Sequence, residues 1–553
     1  MLLSFKLSAQ SKVSSLVKKE TSVSGGLAIS NVFYNARGID SRRDPYFFSL
    51  VGNLTVKVNE LVLPFSVTYN LQETKFSRPQ PFNKIGVSPT YKWVKGHLGY
   101  RSMQFSELTL AGNIFLGVGV ELTPDRPNIA VSAMYGQFSR AIIPGKDNSV
   151  LASAPAYERW GYGVKTTFKK FNSELDLILF KAEDKASSIP EVVAESLGIT
   201  PANNLVTGIN LRSQLTQSVS LDIQYSISSY TENINDKEKV LESYTYLNNT
   251  GGLFVPREST SINQAVIAKL NYSKNTFQIG GTYREIGPNY KTMGSTFINN
   301  DLRDMTLNTA KSFFSNKLQV ALNGGVQRNN LNKAKSNQMV RFITGASITY
   351  TPSDNFSINT NFSNYTTNTQ QTLFSGQTRD NLDSLFYRQV TNSMGFSITY
   401  NPKKEVSKST LLLTCNVQDA KDNTSGTSRF YMASIGDQFQ LNKTTTIVLT
   451  FNFNKNELSA LDSKTMGPAL AFSKSLNEKT RVGASSTYQK AYSNTKQESD
   501  VYNAAINCSY TPKKAHSFSA DCSYLYRKTF LNTAPTFNEW RANINYRYSF
   551  ASK

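Results

Sequence analysis

The chain has 553 residues, a formal net charge of +21 and a mean hydropathy of −0.36. It contains no apolar run long enough for a membrane-spanning helix, which needs about 18 residues, so a helical membrane protein is excluded. A membrane β-barrel is not excluded, because half of the residues in each of its strands are polar.

The first residues resemble the end of a secretory signal peptide. Residues 2–7 would close its apolar core, and residues 8–10 would form its small-residue cleavage region. A disordered N-terminus explains these residues equally well. On the first interpretation, residues 1–10 are a signal-peptide remnant, 11–21 are a periplasmic segment, and 22–553 form one barrel domain.

From about Ser22 onward, apolar and polar residues alternate with the period of a β-strand in one stretch after another. Residues 56–63 predict a hairpin with a tight turn at residues 59–60, and a second turn is predicted at residues 95–96. The glycine-rich residues 112–119 predict either sharp curvature of the strand or close contact between backbones. The alternating stretches add up to about 26 strands.

The connections between the predicted strands differ in length. Every even-numbered connection is short, and among the odd-numbered ones only residues 106–108 are short; the long ones include 71–84, 141–156, 184–203, 231–261, 287–302 and 366–385. Outer-membrane barrels have short periplasmic turns and longer extracellular loops. The pattern therefore predicts an all-β fold, a transmembrane antiparallel up-and-down β-barrel.

Two of the long connections are expected to contain local helices. A helix over residues 191–197 is expected to begin at Pro190 and to end at Gly198. Ser188 is expected to cap it. Residues 236–243 are weakly helical.

In the last predicted strand, residues 536–550, apolar and polar side chains alternate without exception, which gives one apolar aromatic face and one polar face. An edge strand of a soluble β-sandwich is the alternative for this stretch alone. Its end resembles the aromatic signal by which outer-membrane barrels are recognised by their insertion machinery, carried here by Tyr546, Tyr548 and Phe550. The resemblance implies that this strand closes the barrel against the first one.

Rings near strand ends are typical of the two membrane–water interfaces. We therefore predict an aromatic girdle of Trp93, Trp160, Tyr350, Tyr400, Tyr510 and Trp540. The opposite parity predicts a basic lumen wall of Arg159, Lys165, Arg212, Lys269, Arg284, Arg481, Arg541 and Arg547. A solvated wall without selectivity remains the alternative.

His97 and His516 are both expected at short periplasmic turns, far apart in the sequence. The partner serine or carboxylate of an outer-membrane hydrolase is not expected beside either, so we expect no enzyme, no metal and no cofactor. Basic residues with interleaved aromatics are also typical of nucleic-acid binding. Here the aromatics lie on the face opposite the basic residues, so no nucleic-acid partner is expected.

Residues 86–93, 98–102 and 110–122 resemble the large plug-less outer-membrane barrels of Bacteroidota. The resemblance implies this architecture and the bacterial outer membrane as its location, and it implies no particular activity. About twenty residues precede the first predicted strand, so no N-terminal plug domain is expected. The expected fillers of the lumen are inward-folded loops (184–203, 231–261 and 366–385), a partner or a translocating polymer.

Three functions stay open at this point. The first is a conduit or docking barrel for export or surface display of a protein or polymer. The second is a diffusion channel narrowed by its own loops, and the third is an occluded structural scaffold. The expected partners are outer-membrane lipid and lipopolysaccharide, the barrel-insertion machinery, and a secreted or surface protein.

Overall fold

The structure, a computed structural model, describes residues 21–71, 76–77, 79–126, 128–143, 151–152, 154–334, 340–370, 386–402, 408–422, 427–458, 461–530 and 535–552. The predicted signal-peptide remnant and nearly all of the predicted periplasmic segment lie outside the described residues. So does most of the connection 366–385.

The alternating stretches form consecutive antiparallel strands. The strands of the first half are β1 (Thr21–Arg37), β2 (Tyr46–Val58), β3 (Leu61–Asn70), β4 (Phe76–Ser77), β5 (Lys84–Val87), β6 (Thr90–Tyr91), β7 (Val94–Ser102), β8 (Ile114–Leu122), β9 (Ile129–Ser139), β10 (Leu151–Ala152), β11 (Arg159–Lys170), β12 (Ser173–Asp184), β13 (Asn203–Thr216), β14 (Val219–Thr231) and β15 (Thr260–Lys274).

Longer strands make up the second half. They are β16 (Phe277–Ile286), β17 (Leu302–Phe313), β18 (Leu318–Asn329), β19 (Val340–Ser353), β20 (Phe356–Gln370), β21 (Phe386–Tyr400), β22 (Lys408–Asp422), β23 (Thr427–Asn442), β24 (Thr445–Leu458), β25 (Leu461–Ser475), β26 (Thr480–Ser493), β27 (Lys496–Lys513), β28 (His516–Thr529) and β29 (Phe537–Ser552).

The sheet closes on itself because β29 pairs with β1, from Val23 opposite Ser552 to Arg37 opposite Asn538. β4 and β10 form a separate parallel pair, and β5 and β6 are two parts of one strand between β3 and β7. The remaining pairing gives a closed barrel of 26 strands, which confirms the predicted fold and strand number. A barrel of this size is about 50 Å across its backbone.

The two faces of the barrel differ in chemistry, as the alternation predicts. On β24, Leu449 and Phe451 are exposed on the outer face. Asn452 and Asn454 of the same strand line a pocket on the lumen side. A closed barrel with an apolar outer face leaves no unpaired strand edge and is stable in hydrocarbon.

In the described parts of the chain, the long connections lie at one end of the barrel, which is the extracellular end, and the connections at the other end are short turns. Two predicted connections are wrong in detail. The turn predicted at residues 95–96 lies at residues 92–93, because Tyr91 already pairs with Val94. At the extracellular end, β26 and β27 are joined by two residues, Asn494 and Thr495. Both have positive φ, as a two-residue hairpin turn with matching twist requires.

The predicted helix over residues 191–197 is present as α1 (Glu191–Leu197). It ends at Gly198, whose φ of 64° lies in the left-handed region that glycine adopts without strain. Ser188 does not cap it, because its hydroxyl accepts a hydrogen bond from the Glu158 amide at 3.1 Å. In the part of the chain that the structure describes, no helix is long and apolar enough to cross a membrane.

The connection of residues 232–259 packs on the outer face of the barrel, near its extracellular rim. Leu247 and Phe254 are buried against Leu205 and Ile262, which lie on the lipid-facing parity of their strands. The expectation that residues 231–261 fold into the lumen is therefore wrong, because the apolar patch that receives them is outside. Residues 236–243 are not helical either, and the local helix is a 3-10 turn over Thr245–Asn249.

Candidate functional site

Among the residues that the structure describes, two connections fold into the lumen: residues 103–113, between β7 and β8, and residues 287–301, between β16 and β17. We call them together the inner ledge. The wall side chains beneath it are buried, as Phe180 of β12 and Val206 of β13 show. On the opposite, outer face of β12, Leu177 is exposed. The prediction of a short turn at residues 106–108 is therefore wrong: the connection is longer and is buried inside the barrel.

Apolar packing holds the ledge against the wall. Met103, Phe105, Leu110 and Met293 of the ledge share one buried cluster with wall residues, which are Phe115, Met134, Phe138, Ile178, Phe180, Ala182 and Val206. Fully burying a side chain of this size contributes about 1.5–3 kcal/mol. The sequence contains a signal for this site, because residues 177–180 are apolar on both parities, as in strands buried on both faces.

Glycines on the lumen side make room for the ledge. A Cβ on Gly163 would lie 2.7 Å from the Phe105 ring, and a Cβ on Gly119 would lie 2.5 Å from the Met103 sulfur. Within the ledge, a Cβ on Gly294 would lie 2.4 Å from a backbone oxygen of residues 103–113. Within residues 112–119, a Cβ on Gly117 would lie 2.1 Å from the Tyr135 carbonyl oxygen, which is the close backbone contact that the sequence predicted as one alternative.

Hydrogen bonds join the two segments of the ledge to each other. The Tyr290 hydroxyl donates to the Leu108 carbonyl at 2.7 Å, and the Thr292 hydroxyl donates to the Thr109 carbonyl at 2.8 Å. Burial raises the pKa of the Tyr290 phenol, so it stays a donor. These bonds satisfy carbonyl groups that would otherwise be buried without partners.

Three of the predicted basic wall residues contact the ledge. Glu107 of the ledge lies 3.0 Å from the Lys269 ammonium and 3.4 Å from the Arg284 guanidinium. The Lys165 ammonium lies 5.9 Å from the centroid of the Phe105 ring. Glu107 and both of its partners are partly exposed, so each ion pair contributes only about 0–1 kcal/mol. The charges orient the ledge, while apolar burial provides most of its stability.

The other five predicted basic residues lie elsewhere on the wall. Arg159 and Arg212 pair with wall carboxylates: Arg159 with Asp184 at 2.7 Å and Arg212 with Asp176 at 3.1 Å. The remaining three lie on the lumen parity of β26 and β29, far along the wall from the ledge: Arg481, Arg541 and Arg547.

The lumen wall from β20 to β29 is rich in side-chain amides. Its asparagines include Asn359, Asn361, Asn416, Asn452, Asn454, Asn503, Asn507, Asn543 and Asn545. Several bond to a hydroxyl on a neighbouring strand, as Asn359 does to Thr349 at 2.8 Å and Asn503 does to Thr487 at 3.2 Å. An amide has two donor and two acceptor positions, so each retains capacity for a lumenal ligand.

The predicted girdle residues all lie on the outer face or at a turn. Trp160 stacks on Tyr135 with ring centroids 5.3 Å apart, and Trp93 lies at the turn of residues 92–93. Exposed rings near the ends of their strands are Tyr350, Tyr400, Tyr510 and Trp540. The residues of the predicted assembly signal, Tyr546, Tyr548 and Phe550, face the same way and pair with residues 25–29 of β1.

The surroundings of His97 differ from the prediction. His97 lies within β7, not in a turn, and it is buried. Its Nδ1 lies 3.2 Å from the Ser88 hydroxyl and its Nε2 lies 2.7 Å from a Glu121 carboxylate oxygen. The expectation of no serine or carboxylate partner is therefore wrong for His97. Among the described residues, no group of three or more His, Cys, Asp or Glu side chains could hold a metal ion.

The sequence matches no protein-family model, and it matches no curated protein. Solved structures that it resembles include the FrpB iron transporter from Neisseria meningitidis, at 10% identity and a TM-score of 0.38 over 95% of this chain and 82% of that one. A BenF-like porin from Pseudomonas fluorescens is similar at 10% identity and a TM-score of 0.30, over 96% and 99% of the two chains. OccK5 from Pseudomonas aeruginosa is similar at 7% identity and a TM-score of 0.32, over 96% and 98%.

The strand pairing of this chain closes the sheet into a barrel. Its apolar outer face, its rings near the strand ends and its short turns at one end are the properties of a transmembrane β-barrel. The chain is a large β-barrel of the bacterial outer membrane.

Proposed function

We propose that this barrel is a conduit through which an extended hydrophilic chain, a secreted polymer or protein segment, crosses the outer membrane or is displayed on it. The proposal rests on a chemical difference between two sides of the lumen wall. The contacts of the inner ledge described above go to strands β8 to β16. The side from β20 to β29 presents amides and hydroxyl groups to the lumen.

This asymmetry favours an extended occupant. The ledge narrows the lumen from one side and is held there by buried apolar side chains, so it is a fixed part of the wall. A wall of amides and hydroxyls bonds to peptide or sugar groups in many registers and binds none of them tightly. These properties suit a chain that slides past the wall.

A diffusion channel narrowed by its own loops is the second candidate, and the inward fold of the ledge favours it. In such a channel, Arg541 and Arg547 would give a mild preference for anions. The preference would fade with salt, because the Debye length is about 10 Å at 0.1 M and the lumen is wider than that.

Three further properties belong to the proposal. We propose that the barrel is of the plug-less Bacteroidota type, and that Tyr546, Tyr548 and Phe550 are read by the insertion machinery. Lipopolysaccharide is proposed as the neighbour of the extracellular rim, since the chain carries a net charge of +21.

The test combines purification with conductance. The protein is extracted from its own membrane in a mild detergent, and its single-channel conductance is measured before and after treatment that releases bound chains. A conduit is expected to carry a bound chain and to change from a small, fluctuating conductance to a large one when that chain is released. A steady open current with no bound chain would instead support the diffusion channel. If the protein carries no bound chain and shows no current, the result supports the occluded scaffold.

A further inference from the structure

The register between two neighbouring strands of the wall places Ser88 beside His97. β5 ends at Val87 and β6 begins at Thr90, so Ser88 and Pro89 interrupt the strand. Pro89 has no N–H to donate to the ladder, and the Ser88 amide donates to the Pro64 carbonyl at 3.0 Å. The register continues across this interruption, since Gly86 pairs with Gly99 and Thr90 with Lys95, so Ser88 lies directly opposite His97.

Ser88, His97 and Glu121 come from three adjacent strand segments and form a linear hydrogen-bonded array. The Glu121 carboxylate can only accept, so Nε2 of His97 carries the hydrogen at the 2.7 Å contact. Nδ1 then holds the free electron pair and faces the Ser88 hydroxyl at 3.2 Å. This is the tautomer that a general base for Ser88 requires. The Lys95 ammonium, 2.9 Å from the same oxygen of Glu121, favours the ionised carboxylate.

Ser88 also lines a cavity whose wall contains a guanidinium group. Ser88 and Arg101 both line a cavity of about 580 Å³, whose other walls include Ser24, Thr55 and Ser66. The Arg101 guanidinium donates to the Ser66 hydroxyl at 2.6 Å. A guanidinium group has five N–H donors, so Arg101 retains donor capacity for a ligand in this cavity.

We propose that Ser88, His97 and Glu121 are a catalytic triad that hydrolyses a carboxylic ester in this cavity. Ser88 Oγ attacks the ester carbonyl carbon while its proton passes to Nδ1 of His97. Arg101 stabilises the oxyanion of the tetrahedral intermediate. When the intermediate collapses, the bond to the alcohol breaks and the alcohol leaves with the proton from Nδ1.

Water completes the reaction. It attacks the acyl-Ser88 ester and gives its proton to Nδ1 of His97, and that proton then returns to Ser88 Oγ as the carboxylic acid leaves. Glu121 does not touch the substrate: it positions the ring and stabilises the imidazolium. The residue after the nucleophile is Pro89, which offers no N–H to the oxyanion. An ester, with its good leaving group, therefore fits this site better than an amide.

The test uses the full-length protein folded in detergent micelles. An alkyl fluorophosphonate probe is expected to label it once per chain, and mass spectrometry of the labelled peptide should find the phosphonate on Ser88. Hydrolysis of a p-nitrophenyl ester should be lost in Ser88→Ala and should fall about 10²–10⁴-fold in His97→Ala. Glu121→Gln should lower the rate and move the acid limb of its pH profile, which a purely structural carboxylate would not do.

Ser485→Ala is the matched control, because Ser485 lies on the lumen parity of β26 and belongs neither to the cavity nor to the array. It should keep the labelling and the rate of the unmodified protein. Each variant is checked for its folded barrel by its heat-dependent migration in SDS gels. Absence of label on the folded, unmodified protein would overturn the proposal. So would label on a residue other than Ser88, a result that does not depend on any variant folding.

Discussion

Gly163 shows at the scale of one residue how the wall and the ledge depend on each other. It faces the lumen on β11, and a Cβ there would lie 2.7 Å from Cε2 of Phe105 and 3.2 Å from the Leu179 carbonyl oxygen. We expect Gly163→Ala to destabilise the barrel by about 1–3 kcal/mol, because either the ring or the strand must move. Urea unfolding in lipid vesicles measures the change.

Gly281 provides the matched control for this substitution. It lies in a strand like Gly163, but nothing lies within 4 Å of a Cβ built on it. Gly281→Ala is therefore expected to change the unfolding free energy by no more than about 0.5 kcal/mol. Equal losses in the two variants would show that the ledge does not press on Gly163.

β24 shows at the scale of the element that the alternation separates lipid from water. Leu449 is 49% exposed on the outer face, and Asn452 lies on the opposite face three residues further along the strand. Leu449→Arg is expected to cost about 2–4 kcal/mol if it lies near the bilayer midplane. Asn452→Arg should cost far less, since its charge stays in the water of the lumen.

Refolding of the two β24 variants into vesicles and urea titration compares them directly. Ile544 and Asn545 of β29 repeat the comparison on a second strand, with Ile544 outside and Asn545 facing Ser30 in the lumen. If both parities lose the same stability, the apolar face does not lie in hydrocarbon.

The whole molecule is oriented by its connections. Gly251 and Gly252 lie in the long connection of residues 232–259, and Lys514 and Ala515 form the turn between β27 and β28 at the other end. An epitope tag inserted between Gly251 and Gly252 is expected to bind antibody on intact cells. The same tag between Lys514 and Ala515 should bind only after the outer membrane is opened.

A result with both tags accessible on intact cells, or with only the second accessible, would contradict this orientation. Tag binding on lysed cells and SDS-resistant migration serve as controls that each tagged chain is made and folded. Thirteen strands, β15 to β27, lie between the two insertion sites, so the same experiment also checks that this number is odd.

The sequence by itself determined the barrel, its strand number, its lipid face and most of its turns. These features depend on neighbours in the chain: a period of two decides which face each side chain takes, and turn residues decide where strands end. The helix α1 was predictable for the same reason, since Gly198 marks its end locally.

Only the tertiary structure decided which connections enter the lumen and which residues meet there. Tyr290 and Leu108 are 182 residues apart in the chain, and Ser88, His97 and Glu121 lie on separate strand segments. No local pattern specifies such pairs, because they depend on the register of several strands at once. The length of a connection likewise does not determine whether it folds into the lumen or onto the outer face. Residues 232–259 turned outward because their apolar partners, Leu205 and Ile262, lie on the outside of a wall that exists only once the barrel has closed.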